Sequence, residues 1–186
     1  MTREDILEAA AQVFRQKGFH GASMSDIAEA VNLQKASLYH HVVSKQEMLF
    51  QILDRALQLL VEQISPITKQ NIPADKKLRL MVRAYLQILV ENIDLATVLL
   101  FEHRALERRQ HARHVPARDQ FEALWKDVIR EGMTQRLFKA QDPALTVRAL
   151  FGLMNWTITW YRPDGAKTSE QIADEYSNLL LNGLLK

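Results

Sequence analysis

One stretch of the chain, residues 23–49, restricts the fold more than any other. Its sequence, SMSDIAEAVNLQKASLYHHVVSKQEML, predicts a helix, a turn, a short second helix and the capped start of a third. Ser23 can cap the first of these helices, with Asp26 at the positive end of its dipole. Asn32 falls where the chain must bend, and asparagine tolerates left-handed backbone well. The run 44–47, SKQE, is a capping box. This order of elements predicts a helix-turn-helix.

The short second helix divides its residues between a small core and an outward face. Leu33 and Leu38 point inward, and the outward side chains carry hydroxyl, amide, imidazole and ammonium groups that suit DNA phosphates and base edges. Helix-turn-helix patterns also occur in proteins that never touch DNA, but a cap, a turn, buried leucines and a second capping box coincide here. We therefore predict that the DNA-binding residues are Ser25, Gln34, Lys35, Ser37, Tyr39, His40 and Lys45.

The same stretch resembles the signature of the tetracycline-repressor (TetR) family of bacterial transcriptional regulators. The resemblance covers roughly residues 5–50 and departs from the family pattern at Asn32, Gln34 and the run 41–43. It implies a three-helix DNA-binding headpiece and a dimer formed by the last two helices. The residues that carry it are Asp26, Ile27, Ala28, Lys35, Ser37, Leu38, Tyr39, His40, Ser44, Lys45 and Leu49.

Length and composition set the broad class. The 186 residues are 47% hydrophobic and 25% charged, which is typical of a globular protein, and there is no cysteine. The first residues lack the apolar core of a signal peptide, and no apolar run reaches transmembrane length. We predict an all-α cytoplasmic protein with a DNA-binding domain at 1–46 and an effector-binding and dimerisation domain at 47–186.

The charge balance argues against DNA binding by a single copy. Residues 1–64 contain 6 Lys+Arg and 8 Asp+Glu, a net charge of −2. Few phosphate contacts per chain mean modest affinity for one half-site, since each neutralised phosphate contributes to binding. We therefore expect a homodimer on a palindromic operator.

Apolar periodicity predicts helices along the rest of the chain and no strands. Prolines and capping residues set the expected boundaries. The predicted helices are 2–17 followed by Gly18 as a C′ residue, 44–64 stopped by Pro66, 74–92, 94–107, one opened by Pro116 after a basic stretch, 143–161, and one capped by Thr168.

The last two predicted helices are apolar on more than one side. ALFGLMNWTITWY is apolar nearly all round, and the final helix has a continuous apolar face from Ile172 to Leu185. Either the two helices form a two-sided core within one chain, or they meet a second copy in a four-helix bundle. We favour the bundle, and the family resemblance implies the same dimer.

Two other clusters carry candidate chemistry. His103, Glu107 and His111 have helical spacing, with His114 nearby, so a metal site is conceivable, but a solvated helix end is the better interpretation. No phosphate loop, nucleophile elbow or zinc motif is present. The sequence therefore predicts no enzyme, no metal and no cofactor.

The basic stretch between residues 103 and 118 contains five arginines against one acid, Glu107. Arginine forks suit phosphates, although an ordinary solvated loop is an alternative interpretation. Asn155 in an apolar helix needs a partner, and the nearby tryptophans are either ligand contacts or core and interface anchors. This last segment is similar to one in TetR-type repressors of acyl-CoA catabolism, which implies an acyl-CoA effector. The predicted effector-binding residues are Phe101, Arg104, Arg108, Arg109, Asn155, Trp156 and Trp160.

Taken together, the residues predict a dimeric, DNA-binding transcriptional regulator, a repressor released by a small molecule. The resemblance implies an acyl-CoA effector and a lipid or aromatic acid degradation pathway. The alternative is a helical ligand-binding protein or enzyme whose headpiece does not bind DNA. Salt-dependent, saturable binding to a palindromic duplex separates the two hypotheses.

Overall fold

The structure is a computed structural model that describes residues 2–184, so Leu185 of the predicted apolar face lies outside the described residues. Within 2–184 it contains nine α-helices and no strand, which confirms the predicted all-α class. The helices are α1 (Arg3–Gly21), α2 (Met24–Ala30), α3 (Lys35–Leu38), α4 (Lys45–Thr68), α5 (Ala74–Glu91), α6 (Ile93–Phe101), α7 (Arg108–Thr134), α8 (Pro143–Asn155) and α9 (Ser169–Leu184).

The chain forms two compact units that are discontinuous in sequence. Unit 1 contains the chain up to Gln58 together with Asn92–Arg118, and unit 2 contains Leu59–Glu91 and Asp119 onward. The helix-turn-helix therefore shares a unit with α6 and the first turns of α7. The functional boundary at 46/47 stays a prediction, because these units are defined by contacts and not by function.

Helix α1 begins and bends where the sequence predicts. Thr2 and Asp5 form a reciprocal capping box. Gly18 has φ 71°, a left-handed conformation that favours glycine, so regular helix stops there and one further turn runs to Gly21. Ile6, Ala10 and Phe14 form the buried face of α1, which packs on α2 and α6.

Two predicted helix boundaries at prolines are wrong. Pro66 lies inside the last turn of α4, and Pro116 lies inside α7, which already begins at Arg108. Proline removes one backbone hydrogen bond but does not forbid the helix when packing on both sides favours it. Most of the basic stretch is therefore helical. The helix expected over 94–107 is also shorter, because α6 ends at Phe101 and a 3-10 turn, His103–Ala105, follows.

Unit 2 is built around α5, which packs on α8 and most extensively on α9. Leu78, Met81 and Leu86 of α5 are buried in its core. The ammonium of Lys77 is also buried and lies 2.8 Å from a carboxylate oxygen of Glu131. This ion pair satisfies a charge that burial alone would make unfavourable.

The ends of α8 and α9 follow their local signals in part. Asp142 caps α8 with Pro143 in its first turn, and Thr168 and Gln171 form the predicted capping box of α9. Regular α-helix ends at Asn155, however, and Trp156–Thr159 form a 3-10 turn, so the helix predicted to reach residue 161 is shorter.

No single helix in residues 2–184 is long and apolar enough to cross a membrane. The bent pair of α5 and α6, taken together, meets the criteria of length and composition.

Candidate nucleic-acid interface and effector residues

The turn of the helix-turn-helix is built on Asn32, which has φ 53° as its sequence position predicts. The backbone N–H of Leu33 donates to the carbonyl of Ala28 at 2.8 Å, and that of Asn32 donates to Glu29 at 3.0 Å. These bonds satisfy carbonyls that the end of α2 leaves open. They fix the direction in which the chain enters α3.

The short helix α3 is anchored by two apolar side chains. Leu38 and, just beyond the helix, Val42 are buried in the core of unit 1. Ser37 is half-buried, and the Tyr39 side chain is 49% exposed. The exposed side chains of Gln34, Lys35, Tyr39 and His40 make no polar contact to other described residues. Their donors and acceptors are thus available to phosphates and base edges.

The start of α2 is occupied by its own cap. Ser23 and Asp26 form a reciprocal capping box, and Lys17 lies 2.6 Å from Asp26. The Lys17 ammonium, together with the Ser23 hydroxyl and backbone N–H, holds the pKa of Asp26 well below its usual value. Ser25 lies exposed in the same turn. Of the described polar side chains at the start of α2, Ser25 is therefore the one that takes no part in the cap.

Lys45 has an intramolecular role that the sequence did not reveal. Its ammonium donates to the carbonyls of Phe19 at 2.8 Å and Ala22 at 2.6 Å, and lies 4.4 Å from the centre of the Phe19 ring. Two of its three protons are therefore used to cap the end of α1. The prediction that Lys45 contacts DNA stays untested, with one proton left for a phosphate.

The predicted effector residues are divided between the two units. Four of them belong to unit 1, where Phe101 is half exposed and Arg104, Arg108 and Arg109 are exposed. The three arginines have no polar partner among the described residues. Asn155, Trp156 and Trp160 belong to unit 2. The members of each group are neighbours in sequence, and the common effector site stays a prediction.

Asn155 has a protein partner. The Tyr85 hydroxyl donates to Asn155 Oδ1 at 2.6 Å. Trp156 and Trp160 are 65% and 47% exposed, so they are not core residues of a single chain. An interface or ligand role remains for both tryptophans.

An aromatic cluster fills the core of unit 2 around Tyr85. Phe121, Trp125 and Phe151 surround it, with ring centroids 5.3–6.3 Å apart. Burial raises the pKa of the Tyr85 hydroxyl. The Trp125 indole N–H is buried and has no hydrogen-bond partner among the described residues, which is uncommon for a core donor. The four rings come from three helices, α5, α7 and α8, so the pattern of any one helix does not indicate the cluster.

Unit 1 buries one histidine of the candidate metal cluster, which the sequence did not predict. His114 is buried, and burial, followed by the nearby His103, Arg118 and His111, lowers its pKa to about 4. Its Nδ1 has no hydrogen-bond partner in the part of the chain that the structure describes. Within 2–184 no group of three histidine and acidic side chains is placed to hold a metal ion.

The fold and the exposed α3 define a helix-turn-helix DNA-binding protein of two units. Comparison with known proteins agrees. Residues 6–52 match the model of bacterial regulatory proteins of the tetR family, and residues 71–184 match the tetracyclin repressor-like C-terminal domain. The chain therefore belongs to the TetR family of transcriptional regulators, which are not enzymes.

Similar proteins cover the whole chain. The crystal structure of the TetR-family regulator PfmR from Thermus thermophilus has 35% identity and a TM-score of 0.88, over 97% of this chain and 99% of that one. AibR, solved in complex with isovaleryl coenzyme A and operator DNA, has 28% identity and a TM-score of 0.89 over 96% and 97%. The transcriptional repressor KstR2 of Mycobacterium tuberculosis (strain H37Rv) is 26% identical over 99% of this chain and 93% of its own.

Proposed function

We propose that this regulator is a cytoplasmic repressor that binds a palindromic operator as a homodimer and is released by an acyl-CoA thioester. The single observation that carries DNA binding is the outward face of α3, set by the left-handed turn at Asn32, whose polar side chains pair with no other described residue. The side chains there are of the types that contact phosphates and base edges.

An exposed apolar surface on unit 2 supports the homodimer. Three apolar side chains of the last two helices and the turn after α8 are each more than 60% exposed: Leu145, Trp156 and Leu179. A side chain added at Gly152 or Gly183 would meet nothing within 4 Å, so the backbone is also open there. Large exposed apolar patches mark interaction sites, and a two-fold interface uses the same patch on both copies. A second copy is the occupant that a palindromic operator requires.

Two features support an acyl-CoA effector. Among the described residues, none pairs with the guanidinium groups of Arg104, Arg108 and Arg109, so these groups are available to the phosphates of coenzyme A. The similarity to AibR, whose structure contains isovaleryl coenzyme A, points to the same ligand class.

The energetic demand on such an effector is modest. A ligand releases DNA only if it binds the non-DNA conformation better than the DNA-bound one. A hundredfold loss of operator affinity corresponds to about 2.7 kcal/mol. Each buried methylene contributes about 0.8 kcal/mol, so a few methylenes that are buried only in the released conformation would be enough.

The test is a titration of the protein–operator complex with a panel of acyl-CoA thioesters. Fluorescence anisotropy measures how much operator stays bound. We expect one or more thioesters to release the operator, with free coenzyme A and the free acids much weaker. Arg108→Ala combined with Arg109→Ala should reduce release and leave operator binding intact. If no thioester shifts binding at several hundred micromolar, the acyl-CoA hypothesis is wrong.

A further inference from the structure

The corner between α1 and α2, residues 18–22, sets the angle at which the helix-turn-helix leaves α1. The Ala22 N–H donates to Gly18 at 3.1 Å, which closes the corner. Phe19 anchors the corner in the core of unit 1. Its ring is buried and packs edge-on against Phe14, with the ring centroids 5.3 Å apart. A change in this corner therefore changes the position of α2 and α3.

Both peptide groups of Phe19 are bound by side chains from other parts of unit 1. The Lys45 ammonium, at the start of α4, binds its carbonyl. On the other side, the Glu102 carboxylate accepts a hydrogen bond from the Phe19 N–H at 3.0 Å. Glu102 directly follows α6 and lies 83 residues further along the chain than Phe19. The end of α6 thus contacts the corner itself and not only the surface of α1.

The neighbour of Lys45 makes a second connection to the same segment. The Gln46 side-chain amide donates to the Ala105 carbonyl at 2.8 Å and accepts from the Glu107 N–H at 3.2 Å. One side chain therefore binds both sides of the connection between α6 and α7. Such a two-sided contact fixes orientation better than a single bond.

We propose that Glu102 and Gln46 are positioning residues for DNA binding. Gln46 holds the segment 102–107 through Ala105 and Glu107, and Glu102 of that segment holds the corner through Phe19, so that α2 and α3 keep the orientation that fits the operator. Residues 102–107 are then part of the DNA-reading unit. A movement of this segment changes the corner directly, without a rigid tilt of α4. This proposal rests on operator binding by the chain and not on the identity of the effector.

The variant Glu102→Ala tests the proposal, with Asp94→Ala as its matched control. Asp94 also joins α6 to α1, through an exposed pair with Arg15 at 2.8 Å, but does not touch the corner. Each substitution removes one negative charge, which by electrostatics alone strengthens DNA binding. We expect Glu102→Ala to weaken operator binding about tenfold, equivalent to about 1.4 kcal/mol, and Asp94→Ala to leave it unchanged or slightly stronger. Gln46→Ala should weaken it in the same direction.

Hydrogen exchange in the DNA-free protein provides a readout that does not depend on the operator. We expect Glu102→Ala to accelerate exchange of the Phe19 amide and also of the Leu33 amide, which closes the turn before α3. Amides of α5 in unit 2 should not change, which excludes general unfolding. If acceleration is confined to Phe19, or if Glu102→Ala binds the operator as tightly as Asp94→Ala, the proposal is wrong. Failure of the unmodified protein to bind any duplex, with exchange as expected, contradicts the proposed function instead.

Discussion

The ammonium of Lys45 lies 2.6 Å from the carbonyl oxygen of Ala22, so the first residue of α4 stabilises the last turn of α1. A lysine at a helix C-terminus satisfies open carbonyls and interacts favourably with the dipole. Lys45 therefore contributes to the stability of unit 1, whether or not it also binds a phosphate.

Lys45→Ala should lower both the free energy of unfolding and operator affinity, whereas Lys35→Ala should lower affinity alone. The Lys45→Ala substitution removes two charged hydrogen bonds in a half-buried position. We therefore expect the free energy of unfolding to fall by about 1–2 kcal/mol. The Lys35 ammonium has no hydrogen-bond or ion-pair partner in the described chain. Urea unfolding of the two variants tests the difference. Equal stability of Lys45→Ala and the unmodified protein contradicts the structural role.

Asn32→Ala should destabilise the helix-turn-helix, because alanine in left-handed backbone costs about 1–2 kcal/mol. Asn32→Gly should be close to neutral, because glycine adopts φ 53° without strain. Thermal unfolding of both variants measures the effect. If alanine and glycine behave alike, the left-handed turn does not determine stability.

Tyr39→Phe should weaken binding to all duplexes by a similar factor, because the lost hydroxyl contact goes to a phosphate. Gln34→Ala should instead change the preference among operator sequences. Anisotropy with a set of single-base operator variants distinguishes the two patterns. If Gln34→Ala weakens binding to all operator variants equally, the Gln34 side chain contacts the DNA backbone and not a base edge.

Acid should destabilise unit 1 through His114. Its folded pKa, about 4, lies below the unfolded value, 6.5, so the unfolded chain binds more protons between these limits. The free energy of unfolding should therefore fall as the pH is lowered from above 6.5 towards 4, by about 2–3 kcal/mol for this group. His114→Phe should flatten that dependence.

The apolar surface of unit 2 predicts that Leu179→Arg disrupts the homodimer without unfolding the chain. Leu179 is 65% exposed in a single chain, so an arginine there is harmful only if a second copy covers it. Leu80→Arg on α5, at a 38% exposed site, is the control. Sedimentation at micromolar concentration gives the outcome, and a monomeric unmodified protein contradicts the dimer.

Local signals in the sequence predicted much of this fold. The capping pairs Thr2–Asp5, Ser23–Asp26 and Thr168–Gln171 involve neighbours three residues apart, so they can be found without knowing the fold. The prolines failed as boundaries because tertiary packing overrides local preference.

The contacts that the sequence did not predict join distant residues. The Glu102–Phe19 and Tyr85–Asn155 hydrogen bonds span 83 and 70 residues. No periodicity or motif indicates such pairs, and the polar partner that the Asn155 prediction called for could be identified only in the folded chain. The outward face of α3 was predictable because it depends on a local turn and two buried anchors.

Operator binding itself is the most direct test of this account. Duplexes selected from genomic DNA by the purified protein should share a palindrome whose half-sites are separated by one or more helical turns, about 34–36 Å each. Binding should saturate at two copies per palindrome or a multiple of two, weaken steeply with salt, and be abolished by combining Gln34→Ala, Lys35→Ala and Tyr39→Ala without loss of helicity. Equal binding of the unmodified protein and this triple variant to the selected duplex would contradict the assignment of α3 as the DNA-reading helix.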